Sequence, residues 1–215
     1  MLLALGLPLP EKVFAHGFIN IAGGKMSKSL GNVISPQEIV KKYNADVFRY
    51  YILRHIPSYD DGDFSWELLE RAYNNELANE LGNAVQRTAA MITKYQKGII
   101  GEIPAANHDK AQYWEAIEAC RFDRALDMVW EQVRGINQYI DEQKPWAIAK
   151  EGDEEHLQEV LAYQASNLIQ VADLLEPFMP ETAGKIKHVF EEGVVRPIEA
   201  TLFPKHETDK KTTKK

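Results

Sequence analysis

Apolar residues recur every three to four positions through much of this chain, and that spacing constrains its fold more than any other feature. Leu77, Leu81, Val85, Thr88 and Ile92 form one stripe, and Phe122, Leu126, Val129, Val133, Ile136 and Ile140 form another. Side chains so spaced share one face of an α-helix, and that face must be buried against something. A further run extends from about 153 to 176 and stops at Pro177, and a shorter helix is expected from Pro180 to Phe190. Ser65 is placed to cap the first long helix, with Glu67 and Glu70 near its positive end and Gly98 past its last turn. After a break near Gln143, Pro145 restarts a short helix through Ala149. The expected fold is mainly α, a helical bundle.

What precedes the bundle is different. Residues 13–21 are rich in β-branched and aromatic side chains and end at Gly23-Gly24, which reads as a strand entering a loop. Ser35-Pro36 opens a short helix through about Tyr43, a second runs from Ala45 to His55 ahead of Pro57, and residues 58–62 read as an acidic turn. One strand has no sheet to pair with. The economical expectation is that the chain is the C-terminal part of a longer protein whose sheet lies upstream. Divisions are expected at 1–34, 35–62 and 63–207, with a polar Lys/Thr-rich tail at 208–215 that should be disordered.

A hydrophobic fraction of 45% with 27% charged residues suits a globular chain of 215 residues. One cysteine, Cys120, excludes an internal disulfide framework and any multi-cysteine zinc site, so no metal site is expected within the chain. Residues 1–7 are apolar but lack a basic leader and stop at Pro8, so neither a secretory signal nor a membrane span is expected, and the cytoplasm is the default compartment. The net charge of −7 is uneven: residues 1–60 and the tail are net positive, and the body between them is strongly acidic. An acidic body opposes indiscriminate polyanion binding, which runs on phosphate neutralisation. It leaves room for a nucleic acid read at a few chosen points.

Lys25-Met26-Ser27-Lys28-Ser29 carries the clearest chemistry. Two lysines three apart, with Gly23-Gly24 before them and Gly31 after, make a cationic clamp suited to the charge that develops as a triphosphate reacts. It is not a Walker loop, because Gly-x-x-x-x-Gly-Lys-Ser/Thr is absent. On composition alone a solvated basic loop fits as well.

The longer string Lys25-Met26-Ser27-Lys28-Ser29-Leu30-Gly31-Asn32 resembles the lysine signature of class I aminoacyl-tRNA synthetases. Leu7-Pro8-Leu9-Pro10, Val13-Phe14-Ala15-His16-Gly17, Ala45-Asp46-Val47-Phe48-Arg49-Tyr50-Tyr51, Asp61-Gly62-Asp63-Phe64-Ser65 and Lys144-Pro145-Trp146 narrow the resemblance to the methionyl-tRNA synthetases, in that family's order and across nearly the whole chain. The resemblance implies that residues 1–34 end a truncated Rossmann-type catalytic domain, 35–62 form a junction under the tRNA, and 63–207 form an α-helical anticodon-binding domain. It implies ATP-dependent attachment of methionine to tRNA(Met) through methionyl-adenylate, with Mg accompanying ATP. Lys28 would be the principal transition-state contact and Lys25 a second, with Ser27, Ser29 and Gly24 shaping the loop and His16 near the nucleotide. The family's other ATP motif, His-x-Gly-His, does not occur in this sequence. The chain alone is therefore expected not to activate methionine.

The same resemblance points to an anticodon reader. Counted at 100° per residue, Asn83 and Arg87 share a face turned away from the apolar stripe, and an amide beside a guanidinium can read base edges. In the family an Asn-x-x-x-Arg pair at this place contacts the CAU anticodon, and Trp146 would stack on an unpaired base. Lys144 and Lys94 would meet phosphates, as would Arg49 and Arg54 in the junction, where Asp46 is expected to cap a helix or pair with an arginine. Trp66, Trp114 and Trp130 are expected in the core. tRNA(Met) is the expected partner, with no membrane, no DNA and nothing demanding a dimer. The alternatives are the same region of a cysteine or leucine enzyme of the class, or a non-catalytic helical interaction module derived from one.

Overall fold

The structure, a computed structural model, describes residues 1–21, 23–26, 33–104, 110–190, 193–196 and 201–204. Its helices are α1 (Pro36–Lys42), α2 (Ala45–His55), α3 (Trp66–Ala72), α4 (Asn83–Gln96), α5 (Ala111–Glu118), α6 (Phe122–Gln143), α7 (Pro145–Glu151), α8 (Glu154–Leu175) and α9 (Pro180–Val189). None of them, among the described residues, is long and apolar enough to cross a membrane. The stripe on α6 is buried as its spacing requires, with Leu126, Val129, Val133 and Ile140 fully out of solvent. The most deeply placed helix is α8, which packs against α4, α6, α7 and α9 and buries even Gln164, Ser166 and Gln170. Its ends follow local chemistry: Asp153 Oδ1 accepts from His156 N at 3.1 Å, and the helix closes just ahead of Pro177.

The first long helix is continuous in path but not in winding. Between α3 and α4, Tyr73–Gly82 is wound as a π-helix, whose backbone bonds close five residues back instead of four. Tyr73, Leu77 and Leu81 face the core through this stretch. Ser65 caps α3 as expected, its hydroxyl accepting from Leu68 N at 3.4 Å. After α4 both Lys97 and Gly98 are left-handed, at φ 56° and 82°.

Three features correct the sequence reading. The strand is shorter than expected, β1 (Ile19–Ile21), and it is not alone. It pairs antiparallel with β2 (Gly24–Lys25) and parallel with β3 (Gly62–Phe64), a small sheet ordered β2-β1-β3. The acidic turn therefore runs into a strand, because Gly62 and Phe64 lie beside Ile19 and Ile21 and Phe64 is buried. Helix α5, absent from the sequence reading, closes one side of the bundle through Tyr113 and Ala116. Of the tryptophans assigned to the core, Trp130 is fully buried, whereas Trp66 and Trp114 are 36% and 49% exposed.

Candidate nucleic-acid interface

The hairpin of β1 and β2, which reaches Lys25, is held mainly by backbone and carboxylates. Phe18 N donates to Asp61 Oδ1 at 2.7 Å, Gly62 N donates to Phe18 O at 2.9 Å, and Gly23 N donates to Asp63 Oδ1 at 3.1 Å. Both aspartates of Asp61-Gly62-Asp63 thus brace the hairpin. Gly17 passes so close to Asp60 that a Cβ there would fall 2.1 Å from its carbonyl oxygen. His16 is exposed, its Nδ1 2.8 Å from Gly17 O. Gly24 lies in β2, and the Lys25 backbone is in register with Asn20. Ser27, Lys28 and Ser29 lie outside the described residues.

Further along the chain, Asn83 opens α4 and Arg87 follows one turn later. Both are half-buried rather than fully outward, because α4 is packed on the π-helical stretch and on α6, α7 and α8. The Arg87 guanidinium is held by Asp141 on α6, Nη2 to Oδ1 2.8 Å. This pair is open to solvent, with the Asp141 side chain 65% exposed, so it contributes about 0–1 kcal/mol and exchanges readily for another acceptor. Asn83 sits on the wall of a groove of about 330 Å³ that it shares with Leu202, Phe203 and Pro204.

Trp146 emerges at the break between α6 and α7. Lys144 is left-handed there, at φ 49°; its N–H donates to Ile140 O at 3.1 Å and its own carbonyl accepts from Ala147 N at 2.7 Å. One residue therefore closes α6 and opens α7. Pro145 is buried beneath it, while the Trp146 indole remains 44% exposed. Since α4 touches both α6 and α7, Arg87 and Trp146 stand on neighbouring elements. Lys94 is exposed further along α4, its Nζ 5.0 Å from the Tyr95 ring centre.

The junction arginines are placed differently from the sequence expectation. Arg54 is turned inward, its side chain 10% exposed, with Nη1 donating to Leu126 O at 2.9 Å and the guanidinium 4.8 Å over the Trp130 ring. Asp127 and Glu76 pair with it at 3.2 and 3.5 Å. Such a group has little left to offer a phosphate. Arg49 stays nearer the surface but donates to Pro177 O and Phe178 O at 2.6 and 2.7 Å, closing the turn between α8 and α9. Asp46 does cap a helix. Buried on α2, it accepts from Thr182 N at 2.7 Å in the first turn of α9.

Two residues of this region escaped the sequence reading. Asp141 is an unremarkable surface acid until α6 sets it beside Arg87. Glu76 lies in the π-helical stretch and accepts from the Tyr50 hydroxyl. Burial would raise the Glu76 pKa, but bonds from His55 and Tyr50 and the charges of His55 and Arg54 outweigh it and hold the carboxyl below its ordinary value. Tyr50 is pushed well above its ordinary value, chiefly by burial.

The small sheet and its hairpin, joined to the first long helix of the bundle, fall within a tRNA synthetase match: residues 1–89 match the family described as tRNA synthetases class I (M). Residues 86–201 match the anticodon binding domain of methionyl tRNA ligase. That second match spans more than half of the sequence, and the chain belongs to the methionyl-tRNA ligase family. It is 41% identical over 198 residues to the methionine–tRNA ligase of Thermotoga maritima and 44% identical over 202 residues to that of Enterococcus faecalis, in each case over 86% of this chain. It covers 31% and 30% of those proteins, so it spans less than a third of their length. Mycobacterium tuberculosis methionyl-tRNA synthetase in complex with methionyl-adenylate superposes with a TM-score of 0.81 at 30% identity, covering 94% of this chain and 46% of that one.

Proposed function

We propose that this chain supplies two parts of a methionine–tRNA ligase: the lysine loop that meets ATP during methionyl-adenylate formation, and the face that reads the CAU anticodon of tRNA(Met). The observation that carries the reading is the packing of α4, which bears Arg87, against α6 and α7, whose break bears the exposed Trp146. A guanidinium offers a planar fork of donors to base edges, and an exposed indole offers a stacking face to an unpaired base. Asn83 completes the reading set, and Lys144 at the α6–α7 break and Lys94 in the last turn of α4 are exposed for phosphates. Asp141 orients Arg87 until RNA replaces it.

Within this proposal residues 1–34 belong to the catalytic domain, 35–62 to the junction and 63–207 to the anticodon-binding domain. Lys28 and Lys25 would neutralise charge on the phosphates as the methionine carboxylate attacks, with Ser27, Ser29 and Gly24 shaping the loop and His16 near the nucleotide. Mg would enter with the nucleotide. Protein synthesis places the reaction in the cytoplasm.

Binding to two transcripts that differ only in the anticodon tests the reading. The chain should prefer the CAU transcript, and Trp146→Ala should remove most of that preference, by about 1–3 kcal/mol. Equal affinity for both transcripts in the unaltered chain would refute the proposal.

A further inference from the structure

From Gly62 to Gln96 the chain runs without interruption through β3, α3, the π-helical stretch and α4. Its first residues pair with the strand beside the lysine hairpin, and its last helix carries Asn83 and Arg87. The π-helical stretch lies between these two ends. Bonds closing five residues back place more residues in each turn than bonds closing four back. Rewinding the stretch as α-helix would therefore rotate Asn83 and Arg87 about the helix axis relative to Trp146. Something must hold the rarer winding in place.

Glu76 is where the stretch is tied down. Its Oε2 accepts from the Tyr50 hydroxyl, lies 3.0 Å from His55 Nε2, and pairs with Arg54 Nε at 3.5 Å. All three partners come from α2. Arg54 then reaches on to Leu126 and Asp127 of α6, and the Tyr50 ring lies 4.5 Å from that of Trp130 on the same helix. One carboxylate thus ties the π-helical stretch to α2 and, through Arg54, to α6. That helix carries Asp141 and leads directly into Trp146.

We propose that Glu76 is a positioning residue of the anticodon-reading face: its contacts with Tyr50, His55 and Arg54 hold the π-helical winding that sets where Asn83 and Arg87 stand relative to Trp146. The inference rests on the reading of Asn83, Arg87 and Trp146 given above. Glu76 touches no RNA itself. It acts through the backbone seven residues ahead of Asn83, and its ionised form supplies the strong acceptor that three donors need.

Glu76→Ala, Glu76→Gln and His55→Ala chains, the last altering a surface donor, would be compared with the unaltered chain. Each would be measured for affinity to the CAU transcript, affinity to the anticodon-swapped transcript, and amide exchange over residues 73–87. Glu76→Ala should lower the ratio of the two affinities about tenfold, the scale of a lost charge-assisted hydrogen bond. Affinity for the swapped transcript should hardly change, and exchange protection should fall within 73–87 while α8 stays protected. Glu76→Gln keeps one acceptor oxygen and should recover part of the ratio, with His55→Ala showing a smaller loss. A folded Glu76→Ala chain with the original ratio overturns the proposal, as does a loss in step with protection across the entire bundle. Should Glu76→Ala not fold, unchanged ratios in both other variants overturn it. A lack of preference in the unaltered chain overturns the anticodon reading as well, whereas a preference that Glu76→Ala retains overturns this inference alone.

Discussion

Asp46 shows how a single side chain can hold two distant elements. Its carboxylate sits on α2 and caps α9, 136 residues away. Asp46→Ala leaves a buried N–H without its acceptor and should lower stability by about 2 kcal/mol, a fall in Tm of about 4–8 °C by thermal melt. Asp46→Asn keeps an acceptor and should lose less. Glu76 carries a pH dependence whose sign follows from its lowered pKa. Its stabilising contribution is complete above the ordinary carboxyl value of 4.5 and disappears as pH falls through the lower folded value. Glu76→Gln should therefore melt lower at neutral pH and show a flatter decline of Tm on acidification below about pH 4.5. Asp123, lowered by its bonds to Arg121, keeps some of that decline in the variant, and Glu80, raised by burial, opposes it. Sequence reasoning left Asp46 either to cap a helix or to pair with an arginine, and could not name the helix it caps. It gave Arg54 a phosphate, although a basic residue on a short helix looks the same whether it turns outward or, as here, inward over Trp130.

At the scale of elements, helical periodicity located α6 and α8 with ends within a residue or two, because a long apolar stripe leaves few other structures open. The π-helical stretch was not legible. Tyr73, Leu77, Leu81 and Val85 are spaced by four, which suits a buried face in either winding. The hairpin was half legible: Gly23-Gly24 marked the turn, but β3 pairs with β1 across forty residues of intervening chain, a choice local pattern does not encode. That pairing depends on Gly17. Gly17→Ala would force a Cβ to 2.1 Å from Asp60 O and 2.2 Å from its carbonyl carbon, backbone atoms that cannot swing aside. We expect a loss of about 1–3 kcal/mol, with the Phe18, Gly62 and Gly23 amides losing exchange protection first. Gly135→Ala makes the useful contrast. It lies mid-helix with nothing within 4 Å of a Cβ, and alanine there should stabilise by about 1 kcal/mol.

Across the whole molecule, the run from Gly62 to Gln96 joins the strand paired with the lysine hairpin to the helix that carries Asn83 and Arg87, and further bridges link the parts. Lys12 Nζ donates to Glu118 O at 2.8 Å, the Tyr59 hydroxyl donates to Ala119 O at 2.5 Å, and Phe14 packs on Phe122. The segment leading to the hairpin is thus docked on the α5–α6 corner of the bundle. These 215 residues lack His-x-Gly-His and span less than a third of their relatives, so we expect them alone to give no methionine-dependent exchange of pyrophosphate into ATP. Clear exchange by the purified polypeptide would contradict that. The sequence by itself determined the helical class, most helix ends and the family, because periodicity, caps and contiguous motifs are local properties of the chain. Only the tertiary structure decided which arginines face inward, which carboxylates brace the hairpin and α9, and that Arg87 pairs with Asp141. Those outcomes depend on contacts between residues far apart in sequence, where burial and hydrogen-bond geometry, not local pattern, select the partner.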